Sequence, residues 1–188
     1  FRNSERGSHV LNISRLTRLL LEQLAGVTDR YALTTEDIEV ISTASMLHDI
    51  GKYSEEFQRK IQEDTNDRVD HATAGAQVCK ERGGYYSILS YCIAGHHAGL
   101  PDYGNTAMNS SLCGRWKKRI CDYPAYKDEI KIPKLDTDPI VFSKDRNMDF
   151  ALGTFIRMLY SCLVDADFLD TESFMKNGDT GRNSGESM

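Results

Sequence analysis

Apolar residues recur at steps of three and four along most of this chain, the period of one helix face, and its histidines fall on the same inward stripes. Ile13, Leu16, Leu20 and Leu24 trace one face over residues 9–25, and His9, four before Ile13, continues it. Ile38, Ile41 and Ala44 mark a second helix running to about Leu47, its start signalled by Thr34 and Thr35 followed by Glu36 and Asp37. His48 lies seven after Ile41, at the buried end of that helix. Ser54-Glu55-Glu56 opens a third helix reaching about Glu63. A fourth covers 70–82, with Ala74 and Val78 inward behind His71, and stops at Gly83-Gly84. A fifth covers 85–95 and a last, long one about 148–169. The pattern predicts an all-α helical bundle.

The period is lost from Leu100 to Arg146, where all four prolines lie. This predicts a long irregular excursion with one short helix near 110–121, and loops of that length are commonly functional. From Ser173 onward small polar residues dominate, so the reading is one domain over 1–172 and a polar linker over 173–188. The net charge of −5 argues against a strongly basic nucleic-acid clamp. Five widely spaced cysteines with no Cys-x-x-Cys argue against a disulfide framework or a thiolate zinc site and suit a reducing, cytoplasmic setting. The longest uncharged run, Gly83 to Pro101, carries two histidines and five glycines or prolines, so no membrane span is expected.

His9, His48 and His71 are thus predicted to point at one core. Buried imidazoles need hydrogen-bond partners or a metal. His96 and His97 are adjacent and can share that site only if their helix stops there, which Gly95 and Gly99 permit. Asp49 sits at a helix end where an anion is unfavourable unless a cation lies beside it. In the last helix Asp167 shares the apolar stripe of Leu159, Tyr160 and Leu163, whereas Asp165 falls on the polar side with Arg157 and Ser161. A basic cluster, Arg115-Trp116-Lys117-Lys118-Arg119, could stack a base and hold phosphates, or could be a solvated helix face with Trp116 packed inward.

Together these residues resemble the HD superfamily of metal-dependent phosphohydrolases, whose pattern is H…HD…D. The fuller arrangement is His9, His48-Asp49-x-Gly51-Lys52, His71-x-x-x-Gly75-Ala76, Gly95-His96-His97-x-Gly99 and Ala166-Asp167. It is similar to the N-terminal HD nuclease domain of the CRISPR-associated helicase-nuclease of type I systems. The flanks Tyr53-Ser54-x-x-Phe57-Gln58, Gly99-Leu100-Pro101-Asp102 and Leu163 to Asp170 agree, and the likeness covers about residues 9–172. Arg6-Gly7-Ser8-His9 also has the look of an expression-tag remnant, but the apolar stripe beginning at His9 favours a native helix.

The resemblance implies a nuclease that cleaves single-stranded DNA with two divalent metals. His9, His48, Asp49 and Asp167 would hold the first; His71, His96 and His97 would hold the second, with Asp49 bridging. His48, Asp49 and Lys52 would be the catalytic residues, Lys52 contacting a phosphate or an aspartate. Five imidazoles and two carboxylates without a thiolate favour Fe, Mn, Co or Ni over Mg. The implied partners are single-stranded DNA, a helicase domain C-terminal in the same or a separate chain, and through it a CRISPR effector complex. The alternative is an HD phosphohydrolase acting on nucleotides or cyclic dinucleotides, which would have a closed pocket with specific base contacts.

Overall fold

The computed structural model of the chain describes residues 3–27, 33–65, 69–84, 86–132 and 148–180, and among them every regular element is helical. α1 spans Asn3–Val27 and α2 Thr35–Ser45; a 3₁₀ segment, Met46–Tyr53, follows directly. α3 spans Glu55–Glu63, α4 Ala72–Arg82, α5 Tyr86–Gly95, α6 Leu112–Lys117, α7 Tyr126–Glu129 and α8 Met148–Thr180. The all-α expectation is met.

Local chemistry accounts for the boundaries. Thr34 and Asp37 cap α2 reciprocally: Asp37 Oδ2 accepts from the Thr34 backbone N–H at 2.7 Å, and Thr34 Oγ1 accepts from the Asp37 N–H at 3.1 Å. Ser54 Oγ accepts from Phe57 N at the start of α3. Gly83 ends α4 at φ 71°, a left-handed conformation that side chains resist.

α1 packs on α2 and α8, α5 on α8, and α4 on both α5 and the 3₁₀ segment. The core joins Val10, Ile13 and Leu21 of α1 to Ile41, Leu47, Ile50, Val78, Ile93, Phe155, Leu159 and Leu163. The deepest line on α1 runs through Ile13, Thr17 and Leu21, with Leu16 and Leu20 only partly buried, so the stripe is turned slightly from the sequence expectation. Leu24 lies outside the residues whose side chains are described.

Three features differ from expectation. The second helix tightens into 3₁₀ at Met46 instead of ending near Leu47. The excursion holds a second short helix, α7, and its stretch 133–147 lies outside the described residues. α8 continues to Thr180, through part of the stretch expected to be linker; 181–188 are outside the described residues. Among the described residues no helix is long and apolar enough to cross a membrane.

Two glycines set how closely α4 meets the 3₁₀ segment. A Cβ on Gly75 would lie 2.0 Å from the Leu47 carbonyl oxygen, and one on Gly51 would lie 2.3 Å from that of His71. Backbone therefore rests on backbone across this seam, which carries Asp49 on one side and His71 on the other.

Candidate metal centre

The 3₁₀ segment places the central residues. With three residues per turn, positions i and i+3 eclipse, so Lys52 stands over Asp49, its Nζ 2.5 Å from Oδ2. That cation answers the electrostatic objection to an anion at this chain position. His48 is fully buried and Asp49 is nearly so. Around Asp49 the bundle delivers side chains from four further directions. His9 comes from α1, His71 from the residue preceding α4, His96 and His97 from the turn after α5, and Asp167 from α8. α5 stops at Gly95, and Gly99, at φ 92°, returns its N–H to the Gly95 carbonyl at 2.8 Å. This is the stop that lets two adjacent histidines turn to one site.

Seven side chains, all of them singled out as ligands from the sequence, form two groups. Asp49, His71, His96 and His97 offer donor atoms within 4.8 Å of one another, and so do His9, His48 and Asp167. Asp49 faces both. Its Oδ2 is 3.2 Å from His9 Nε2 and 3.3 Å from His48 Nε2; its Oδ1 is 3.5 Å from His71 Nε2 and 3.8 Å from His96 Nε2. Asp167 Oδ1 lies 3.6 Å from His9 Nε2 and 3.8 Å from His48 Nε2. His97 Nε2 is 2.8 Å from His71 Nε2. Asp165, by contrast, is exposed, on the outer side of α8.

The rings are oriented for ligation. His48 Nδ1 donates to the Ser45 carbonyl and His96 Nδ1 to the Ile93 carbonyl, each at 2.7 Å. A carbonyl only accepts, so each Nδ1 carries a proton, and the neutral ring keeps its lone pair on Nε2. His48 Nε2, His96 Nε2 and Asp49 Oδ1 are buried with no hydrogen-bond partner. An unsatisfied buried polar atom costs about 1–3 kcal/mol, and cations held by the two groups would satisfy these atoms. The donor set, rich in imidazole and free of thiolate, suits a divalent transition metal. These residues fit such an ion.

The two groups differ in their proton affinity. Burial opposes charge on every ring, but Asp49 and Asp167 overcome it at His48 and raise its pKa to about 10. His9 is likewise raised, burial being outweighed by Asp49 and Asp170. His71 is lowered by burial despite the attraction of Asp49. His96 falls to about 3, through burial and the neighbouring His48. Burial would raise Asp49, yet His48, His9 and Lys52 hold it well below the usual carboxylate range.

The basic cluster is arranged otherwise than base stacking requires. Trp116 packs against Ala76, Ala94 and Leu112, its indole N–H donates to Ser90 Oγ at 2.7 Å, and Lys80 covers its ring at 4.3 Å. Of the two readings of Trp116, the structure shows the inward-packed one, with its ring against the core and under Lys80. Arg115 and Lys118 turn to Asp70, at 3.7 and 2.6 Å. Lys117 and Arg119 remain exposed. The sequence reading gave no role to Asp170, whose Oδ2 is 2.5 Å from His9 Nδ1. The available signal was its spacing, one helical turn beyond Asp167.

An all-helical bundle that gathers histidines and aspartates around one buried carboxylate has the makings of a metal-dependent hydrolase. The HD domain family matches residues 6–134, which include His9, His48, Asp49, Lys52, His71, His96 and His97, and the chain belongs to that family. It is thereby a metal-dependent phosphohydrolase by class, of a family that binds divalent metals. No curated protein matches the chain. Asp167 and Asp170 lie beyond the matched stretch and join the site through the packing of α8 on α1.

Proposed function

We propose that the chain is a nuclease that hydrolyses single-stranded DNA with two divalent transition metals. The observation that carries this reading is the double-faced Asp49, one oxygen turned to His9 and His48 and the other to His71 and His96. His9, His48 and Asp167 would hold one ion, His71, His96 and His97 the other, with Asp49 between them. Two such ions, when bound, would lower the pKa of a water and neutralise a phosphodiester under attack. Asp49 supplies the shared negative charge. His48 and His96, locked by backbone carbonyls, present fixed lone pairs. Lys52, with a side chain 24% exposed, is free on metal uptake to turn from Asp49 toward a phosphate.

A polymer substrate is supported by the openness of the site. His97 is exposed, and the hollow beside the centre, lined by His9, Lys52, Tyr53, Phe57 and Ile61, encloses only about 20 Å³, too little to take in a nucleobase. A nucleotide phosphohydrolase needs a closed pocket, and this hollow is not one. The likeness to type I CRISPR nuclease domains extends the proposal. A helicase, in the same or a separate chain, would deliver the single strand in the cytoplasm and link the nuclease to an effector complex. Within the basic cluster, Lys117 and Arg119 are exposed and would meet a strand.

The test is cleavage of circular single-stranded DNA by protein loaded with Mn²⁺, Co²⁺, Ni²⁺ or Fe²⁺, with a chelator control. Nicking of the circle that the chelator abolishes is expected. Rapid hydrolysis of nucleotides with the circle left whole would transfer the proposal to the nucleotide phosphohydrolases.

A further inference from the structure

The histidines of the centre are not held alike. His48 and His96 give Nδ1–H to backbone carbonyls three residues earlier in their own helical segments, at 2.7 Å. His71 is loosely placed, its Nδ1 3.4 Å from the Val69 carbonyl. His9 Nδ1 is held by a charged group from a distant part of the chain, the Asp170 carboxylate at 2.5 Å. Asp170 is 13% exposed at its side chain. Asp167, one turn earlier on α8, faces the opposite nitrogen of the same ring, Nε2, at 3.6 Å. α8 therefore meets both nitrogens of a side chain borne by α1.

We propose that Asp170 is a positioning residue: it fixes the His9 ring with the proton on Nδ1 and Nε2 turned to the metal, and so ties α1 to α8 across the first metal position. A carboxylate behind a histidine ligand orients the ring and makes it a stronger donor. His48 and His96 need no such help because their own backbone turns hold them. His9 lies within a continuous helix, and a carbonyl of its own turn is already engaged in the helix ladder. The inference rests on the metal reading above and assigns a role within it.

The experiment compares wild type, Asp170→Asn and Asp170→Ala. Asparagine keeps an acceptor for Nδ1–H, and alanine removes it. In metal-free protein, at a pH where His9 is neutral, nitrogen-proton correlation spectra report which ring nitrogen carries the proton. Mn²⁺ titration reports affinity, and circular dichroism checks that each variant remains helical. The expected result is an Nδ1–H tautomer in wild type and Asp170→Asn but not in Asp170→Ala. One Mn²⁺ should bind about 10–100-fold more weakly to Asp170→Ala, near wild-type strength to Asp170→Asn, with the second unchanged. A wild-type tautomer on Nε2, an Asp170→Ala affinity equal to wild type, or an Asp170→Asn loss as large as that of alanine would overturn the role of Asp170 alone. Wild type that takes up no Mn²⁺ would overturn the metal reading, and this role with it.

Discussion

The two groups of donors on either side of Asp49 are built from the same imidazoles but carry opposite electrostatics. On the α1–α8 side, His9 and His48 sit among Asp49, Asp167 and Asp170, and their pKa values are raised. On the α4–α5 side, the carboxylate paired with His71 and His96 among the described residues is Asp49, and their pKa values are lowered. An anion-rich position attracts metal and proton alike, so the two compete there. A buried, nearly neutral position holds its lone pairs ready but offers a cation less attraction. Asp49 is the carboxylate that pairs with histidines on both sides.

The largest effect should come from removing what they share. Asp49→Asn should weaken metal uptake on both sides by more than the roughly 10–100-fold cost of losing an outer partner, and metal-dependent hydrolysis should fall to background. Metal content after dialysis against a weak chelator measures it. If one equivalent survives at wild-type affinity, the sides do not share Asp49. Single-sided changes should separate them. Asp167→Ala should empty the α1–α8 position and spare the other, and His97→Ala should do the reverse. Equal losses in both variants would mean one cooperative site.

Gly75→Ala drives a Cβ into the Leu47 carbonyl. It should cost about 1–3 kcal/mol or more by overpacking, at about 2–4 °C of midpoint per kcal/mol for a chain of this size. The α4–α5 position should lose affinity first, because α4 must move away from Asp49. A thermal melt and a Co²⁺ titration of the same sample test both parts.

The pH dependence should have the same sign on both sides but fall in different ranges, as the shifts do. His9 and His48 bind protons more tightly than a free histidine, so metal must displace them; affinity on that side should climb as pH rises from about 6.5 toward 10. His71 and His96 hold protons less tightly than a free histidine, so affinity on the α4–α5 side should depend less on pH above about 6.5 and weaken as pH falls through their lowered values. Calorimetry in buffers of different ionisation enthalpy counts the protons released. Equal release on both sides would erase the contrast. The smallest effect belongs to Asp165→Ala, which should alter stability by no more than about 0.5 kcal/mol and leave metal content intact.

The faces of the long helices were legible because a stripe at steps of three and four fixes which side chains turn inward. That is enough to separate Asp167 from Asp165 and to aim His9, His48 and His71 at one centre. What was not legible depended on partners distant in sequence or on periods too similar to tell apart. Over Met46–Tyr53, three residues per turn and 3.6 differ by little, so the 3₁₀ stretch read as the end of α2. Trp116 and its basic neighbours looked like a strand-binding patch until Ser90, Lys80 and Asp70 occupied them. Asp170 carried no mark of its own, because its task is defined by a ring on α1.

The seam at Gly51 and Gly75 gives the centre a property that its ligands alone would not. Because main chain abuts main chain between the 3₁₀ segment and α4, the span from Asp49 to His71 is gauged by incompressible backbone, with no intervening side chain to change rotamer. Such a gauge behaves as a fixed caliper. An ion of unsuitable radius must be met by swinging imidazoles, since the jaws themselves cannot open without unseating a helix. Discrimination between metals would then be written partly into two missing methyl groups, invisible to a survey of donor atoms.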